Sequence, residues 1–329
     1  MRLDRRSCLR WLALAGVSGG LTPLLACRQR ESVAPPASGR RRVALLQYVD
    51  AAPANAARDG VIAALGSGLE LITRVADGSP SRCRALAEAL VQAEPALLVA
   101  IGTPPLVSAI AAAPRRLPVV FCYCSNPWGA GAGRSATQHL PNVTGTVTTT
   151  PVAEQLRLAR ELLPELRAVG LIYNPAEPNA SFEAELLAQA ARQQQLILLR
   201  EPVSSVPDLP EAFARLQRGG MQVLLKVGDY ITLQGFHQLA ALALQARLPL
   251  IGVDPADAAV LGCLAVVGWE PRQDGLRAGA LAAEVLKGVS PAQIPIQQPG
   301  EPGLWLNPRT AQRLGMALPA PMRARAQAA

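Results

Sequence analysis

Read as apolar and polar positions, the chain alternates short uninterrupted hydrophobic runs with helical segments. Val43 to Gln47, Leu97 to Ile101 and Val119 to Tyr123 are such runs, and their unbroken apolar character fits strands covered on both faces. Helical pattern over Ala57 to Leu65 and Arg82 to Gln92 separates them. Strand and helix in turn is the signature of parallel βαβ units. The pattern also repeats. Val43-Ala44-Leu45-Leu46 returns as Val169-Gly170-Leu171-Ile172, and Leu98 to Gly102 as Leu224 to Gly228, both 126 positions on. Leu117-Pro118-Val119-Val120 returns as Leu248-Pro249-Leu250-Ile251, 131 positions on. Three matches in one order at nearly one offset predict an α/β protein of two similar parallel-sheet lobes. The boundaries expected are 42–147 plus 264–289 for lobe 1 and 148–263 plus 294–318 for lobe 2.

The two ends follow different patterns. Arg2, Arg5, Arg6 and Arg10 precede an apolar run from Trp11 to Leu25, closed by Ala26 and Cys27. Fifteen residues make roughly 22 Å of helix, short of a hydrocarbon core of about 30 Å. Gly16, Gly19, Gly20 and Pro23 weaken it further. Residues 1–26 therefore read as a signal peptide. Leu24-Leu25-Ala26-Cys27 resembles a lipobox, which makes Cys27 the expected lipidation site. Asp4 to Arg10 resembles the twin-arginine export motif, with Asp4 and Cys8 departing from it. Residues 27–41, with Pro35, Pro36, Ser38 and Gly39, read as the lipidated cysteine and a flexible tether, and 319–329 as a disordered tail.

Charge changes the picture little. The formal net charge is +8, and removing residues 1–26 leaves about +5, with further arginines in the tether and tail. The body is close to neutral, so the basic balance points to an anionic membrane surface and not to nucleic acid. Of six cysteines, Cys8 lies in the signal and Cys27 takes lipid; Cys83, Cys122, Cys124 and Cys263 read as small buried residues. His139 and His237 lack spaced partners, and no phosphate-cradling loop is present, so neither a metal, a cofactor nor a catalytic triad is expected.

Open parallel sheets bind ligands beyond the carboxyl ends of their strands. All four tyrosines fall there: Tyr48, Tyr123, Tyr173 and Tyr230, with Trp128 and Trp269 in similar positions. Flat rings with polar tips suit a pocket closing on an organic solute. Thr103, Asn126, Asn174, Glu177, Asn179 and Asp229 share these ends. Helix N-termini favour a carboxylate, and Glu177 or Asp229 an ammonium, which together suit an amino-acid-like zwitterion. Capping of helices by Thr103, Asn126 and Asp229 is the plainer role for the same residues.

Across Val43 to Gly315 the chain resembles the substrate-binding lipoproteins of ABC importers that include tryptophan- and tyrosine-type binders. The resemblance rests on Ala57-Arg58-Asp59-Gly60, Ile101-Gly102-Thr103, Pro118 to Phe121, Asn142 to Gly145, Tyr173 to Asn179, Leu286-Lys287-Gly288 and Asn307 to Gly315. It implies the type I periplasmic-binding-protein fold, two lobes joined by crossing strands and closing on a ligand. It further implies binding roles for Thr103, Glu177, Asn179 and Asp229. Two positions depart from the family: Asn126 replaces an aspartate and Ala180 a serine, removing a charge and a hydroxyl. The expected protein is an exported, lipid-anchored monomer that hands a small solute to a permease and its ATPase. One rival is a lipoprotein that signals to a membrane receptor. Another is an anchored α/β hydrolase, which would need a histidine beside Ser125.

Overall fold

The computed structural model describes residues 39–327. The segment expected to be a signal peptide, Cys27 and nearly all of the expected tether lie outside the described residues. In chain order the first part runs β1 (Arg42–Gln47), α1 (Ala52–Leu65), β2 (Glu70–Val75), α2 (Pro80–Gln92), β3 (Leu97–Ile101), α3 (Thr103–Ala112), β4 (Val119–Cys124) and β5 (Val143–Val147). The second runs α4 (Val152–Leu162), β6 (Ala168–Tyr173), α5 (Pro178–Gln193), β7 (Ile197–Pro202), α6 (Leu209–Arg218), β8 (Val223–Leu225), α7 (Tyr230–Gln234), α8 (Phe236–Gln245), β9 (Leu250–Gly252) and β10 (Ala265–Gly268). The chain ends with α9 (Pro271–Leu286), β11 (Gly303–Leu306), α10 (Pro308–Leu314) and α11 (Ala320–Arg325).

Two sheets form. The first has the order β2-β1-β3-β4-β5; the second has β11-β10-β9-β8-β6-β7. Read from the other edge, the second repeats the first strand for strand, with β11 added antiparallel on β10. The duplication seen in the sequence is thus a duplication of topology. Alternation along each strand feeds two cores per sheet. In β1, Ala44 and Leu46 face the side covered by α2 and α3, while Val43 and Leu45 face α1 and α9. In the second sheet, Val169 and Leu171 pack toward α4 and α5, while Ile172 and Leu224 pack toward α6 and α8. Burial on both faces explains the continuous apolar runs.

The lobe boundaries differ from those expected. Ala265 to Gly268 belongs to the second sheet, where Ala265 pairs with Ile251 on one side and Leu306 on the other. The crossing into the first lobe therefore comes after Gly268, not at residue 264. Ile294 and Ile296 are buried in the first lobe's cores and Gln297 bridges Thr146, so the return crossing lies between Gln297 and Gly303. The expected disordered tail is α11, whose Met322 is fully buried against the second lobe, with Gln327 bridging Trp305. The helix after β1 also begins at Ala52, five residues earlier than its apolar pattern suggests, because Pro53 suits the first turn. Among the described residues no helix is long and apolar enough to cross a membrane.

Candidate ligand-binding cleft

The carboxyl ends of both sheets open onto one cavity, with about 890 Å³ of empty space counting its mouth. From the first lobe come Tyr48 after β1, Gly102 and Thr103 after β3, and Tyr123 and Ser125 at the end of β4. From the second come Glu177, Asn179 and Glu183 around the start of α5, Lys226 and Gly228 to Tyr230 after β8, and Asp254 after β9. Thr148, Thr150 and Trp269 line it from the crossing segments. Several helices begin here with a proline in the first turn, among them α1, α3, α5 and α9.

Seven of the ten residues singled out from sequence meet in this wall: Tyr48, Thr103, Tyr123, Glu177, Asn179, Asp229 and Tyr230. Three do not. Asn126 turns its Oδ1 to accept the Gly129 N–H at 2.8 Å, a local turn bond. Tyr173, the last residue of β6, packs on the second lobe's core. Asn174 braces the wall from behind: its N–H donates to Asp229 Oδ2 at 2.6 Å and its Nδ2 to Glu177 Oε1 at 3.3 Å. Trp128 packs on the first lobe's core, whereas Trp269 lines the cavity and donates from Nε1 to the Thr149 carbonyl.

The wall is acidic, and its acids differ in how well they are held. Asp229 caps α7, its Oδ1 accepting the Thr232 N–H at 2.6 Å, so both of its oxygens have short partners. Glu183 is almost fully buried and accepts from the Thr150 N–H, the Thr150 hydroxyl and the Gly228 N–H at 2.7 to 2.9 Å. Burial raises both pKa values, and these bonds oppose it. Glu177 has only long bonds, 3.2 Å from the Tyr230 N–H to each oxygen and 3.3 to 3.5 Å from Asn174 and Asn179. Burial, then the neighbouring Asp229 charge, pushes its pKa up to about 7. Lys226 is buried between Asp254 at 3.1 Å and Asp257 at 3.0 Å, with the Phe236 ring centroid 5.0 Å away. Burial alone would depress its pKa; the two carboxylates outweigh that and hold it above the ordinary lysine value. Asn179 Oδ1 is buried in the wall without a hydrogen-bond partner, while the buried Ser125 hydroxyl lies against Glu183 and helps to hold its pKa down.

Sequence reading missed Glu183, Lys226 and Asp254. Lys226 carried a signal, a lone lysine inside the apolar run Leu224 to Val227. Asp254 and Asp257 are spaced as a capping box after β9. Glu183 had none, since on sequence it is one more polar residue of a helix. The four described cysteines are free and buried, as expected, and burial pushes the Cys124 thiol up to about 12. Neither His139 nor His237 lines the cavity, so the histidine that the hydrolase reading required beside Ser125 is not there.

The lobes touch across the cleft. Tyr48 and Tyr230 pack edge to face, with centroids 6.3 Å apart. The Tyr230 ring also covers Gly78 of the first lobe, where a Cβ would stand 2.4 Å from Tyr230 Cε1. The Tyr123 hydroxyl donates to Asp254 Oδ1 at 3.1 Å. This is a closed arrangement about three crossing segments.

Known proteins share this architecture. The tyrosine-binding protein of Clostridioides difficile (strain R20291) is 25% identical over 319 residues, 93% of this chain and 91% of that protein. A crystal structure of a conserved domain protein from Vibrio cholerae superposes with a TM-score of 0.82 at 27% identity, covering 87% of this chain and 98% of that one. An ABC domain in complex with L-Trp from Streptococcus pneumonia has the same fold, with a TM-score of 0.81 at 22% identity and coverage of 87% and 98%. The family model described as ABC transporter substrate binding protein matches residues 42–329, and the chain belongs to that family: a two-lobed binding protein of ABC importers that closes about a hinge, and not an enzyme.

Proposed function

We propose that the cleft captures an amino-acid-like solute with a flat apolar side chain, outside the cytoplasmic membrane, from a body tethered through lipid on Cys27. Glu177 carries the reading. It is a buried carboxylate with only long internal bonds, beside a free acceptor at Asn179 Oδ1, so it has capacity left for the short bonds of an ammonium. Thr103 at the start of α3 lines the cavity from the other lobe and suits a carboxylate. Pro104 and Pro105 remove two donors from that helix end, so the Thr103 hydroxyl carries this half. Tyr48, Tyr230 and Trp269 offer flat faces for the side chain. The names of two similar proteins, one tyrosine-binding and one in complex with L-Trp, agree with an aromatic side chain.

Because contacts come from both lobes, they coexist only when the cleft is closed, and binding shifts the population to that state. The closed form then docks on a permease fed by an ATPase. A thermal-shift screen of L-amino acids and related amines tests the assignment. A true ligand at 100 times its Kd adds about 2.7 kcal/mol and raises Tm. If neither L-tyrosine nor L-tryptophan nor any other amino acid moves the melt, the assignment fails.

A further inference from the structure

Tyr123 is set in an uncommon way. Its φ of +51° lies in the left-handed region, which is unfavourable for a non-glycine residue. The register of β4 against β5 breaks at this point, between Phe121 and Cys124. What holds it is local to the first lobe: its N–H donates to Asp274 Oδ2 at 2.7 Å, and fully buried Asp274 also pairs with Arg277 at 3.0 Å. Thus α9 aims the side chain before the second lobe arrives. There the hydroxyl meets Asp254, one of two buried carboxylates facing the single ammonium of Lys226. That cluster carries one negative charge in excess, so a hydroxyl donor stabilises it more than a donor to a neutral acceptor would.

We propose that Tyr123 is a positioning residue for hinge closure: its hydroxyl latches the first lobe to the Lys226–Asp254–Asp257 cluster of the second and populates a closed state without any solute. The latch occupies the hydroxyl between the lobes, leaving only the ring to face the cavity. It does not depend on which solute is carried, because both ends of the bond are protein.

The test is a distance distribution between spin labels on the two lobes, attached at Glu88→Cys in α2 and Gln238→Cys in α8, both exposed. It is recorded on the mature protein with no solute added. The expected result is a closed population in the parent that Tyr123→Phe, which keeps the ring, lowers about tenfold relative to the open one. Asp254→Asn keeps an Oδ1 acceptor but removes its charge, and it lowers the ratio by a smaller factor. Combined with Tyr123→Phe it adds nothing, because both act through one bond. An unchanged distribution in Tyr123→Phe, additive losses in the double variant, or a parent with no closed population each overturn the latch. None of these results bears on whether an amino acid shifts the melt.

Discussion

Glu177 sits with a carboxyl pKa of about 7 against an ordinary value of 4.5, so near neutrality it holds a proton that the unfolded chain has released. Between roughly pH 4.5 and 7 the folded state therefore binds more protons than the unfolded one, and this group's contribution to stability declines as pH rises. Asp229 and Glu183 are raised by the same cause and act in the same direction. The solute-free protein should accordingly melt higher at pH 5.5 than at pH 8. Binding of an ammonium runs the other way, because it needs the charged carboxylate. Affinity for L-tyrosine, measured by titration calorimetry, should rise up to about tenfold per pH unit below 7 and level off above it. Glu177→Gln should weaken binding by tenfold or more and flatten that profile. A profile equally steep in the variant would move the proton to another group. Such a residue was legible in part: its place after a strand is visible in sequence, but its depressed acidity is not. That depends on burial in the closed cleft and then on Asp229, which is 52 positions away in sequence and adjacent only once β6 and β8 pair.

The packing of α1 against α9 shows why element boundaries were harder to read than element types. The strands announced themselves by unbroken apolar runs, yet nothing in Leu264 to Gly268 says which of two equivalent sheets it joins. The answer lies in contacts far along the chain: Ala265 pairs with Ile251 and Leu306, and the helix that follows returns to α1. That return is close. A Cβ on Gly275 would stand 1.9 Å from the Ala57 carbonyl oxygen, and one on Gly60 would stand 2.3 Å from the Arg272 carbonyl oxygen. Both obstacles are backbone, so neither can move aside by a change of rotamer. Gly275→Ala should force the helices apart and cost about 1–3 kcal/mol, read as a Tm several degrees lower. Gly288→Ala makes a useful comparison, because open space surrounds that position and only its positive φ opposes a side chain. A Gly275→Ala variant melting with the parent would mean that the two helices have slack. The C-terminal segment teaches the same lesson: Pro319 to Ala329 lacks apolar periodicity, but buried Met322, the Arg325–Glu161 ion pair and the bridge from Gln327 to Trp305 seat α11 on the second lobe.

For the whole molecule the decisive quantity is the balance between open and closed forms, since a solute can move that balance only by binding one form better. Gly78 offers a way to change it from the protein side. It follows β2 at φ +73°, its carbonyl accepts the Tyr48 hydroxyl at 2.7 Å, and the Tyr230 ring occupies the space a side chain would need. Because Tyr230 belongs to the other lobe, that space is filled only on closing. An alanine at 78 thus carries two penalties, a backbone one of about 1–2 kcal/mol present in both forms and a clash present in the closed form alone. The two can be separated. Gly315 has nearly the same φ, +68°, in the left-handed region, and a Cβ placed there would have no atom within 4 Å, so Gly315→Ala incurs the first penalty and not the second. Both variants should melt slightly below the parent without solute. Only Gly78→Ala should then lose the thermal shift given by a bound amino acid, with affinity down by at least tenfold and the spin-label distribution moved toward open. Equal binding by the two variants would show that Tyr230 does not seat on Gly78 during capture, and that closure in solution stops short of the contact between the two lobes seen here.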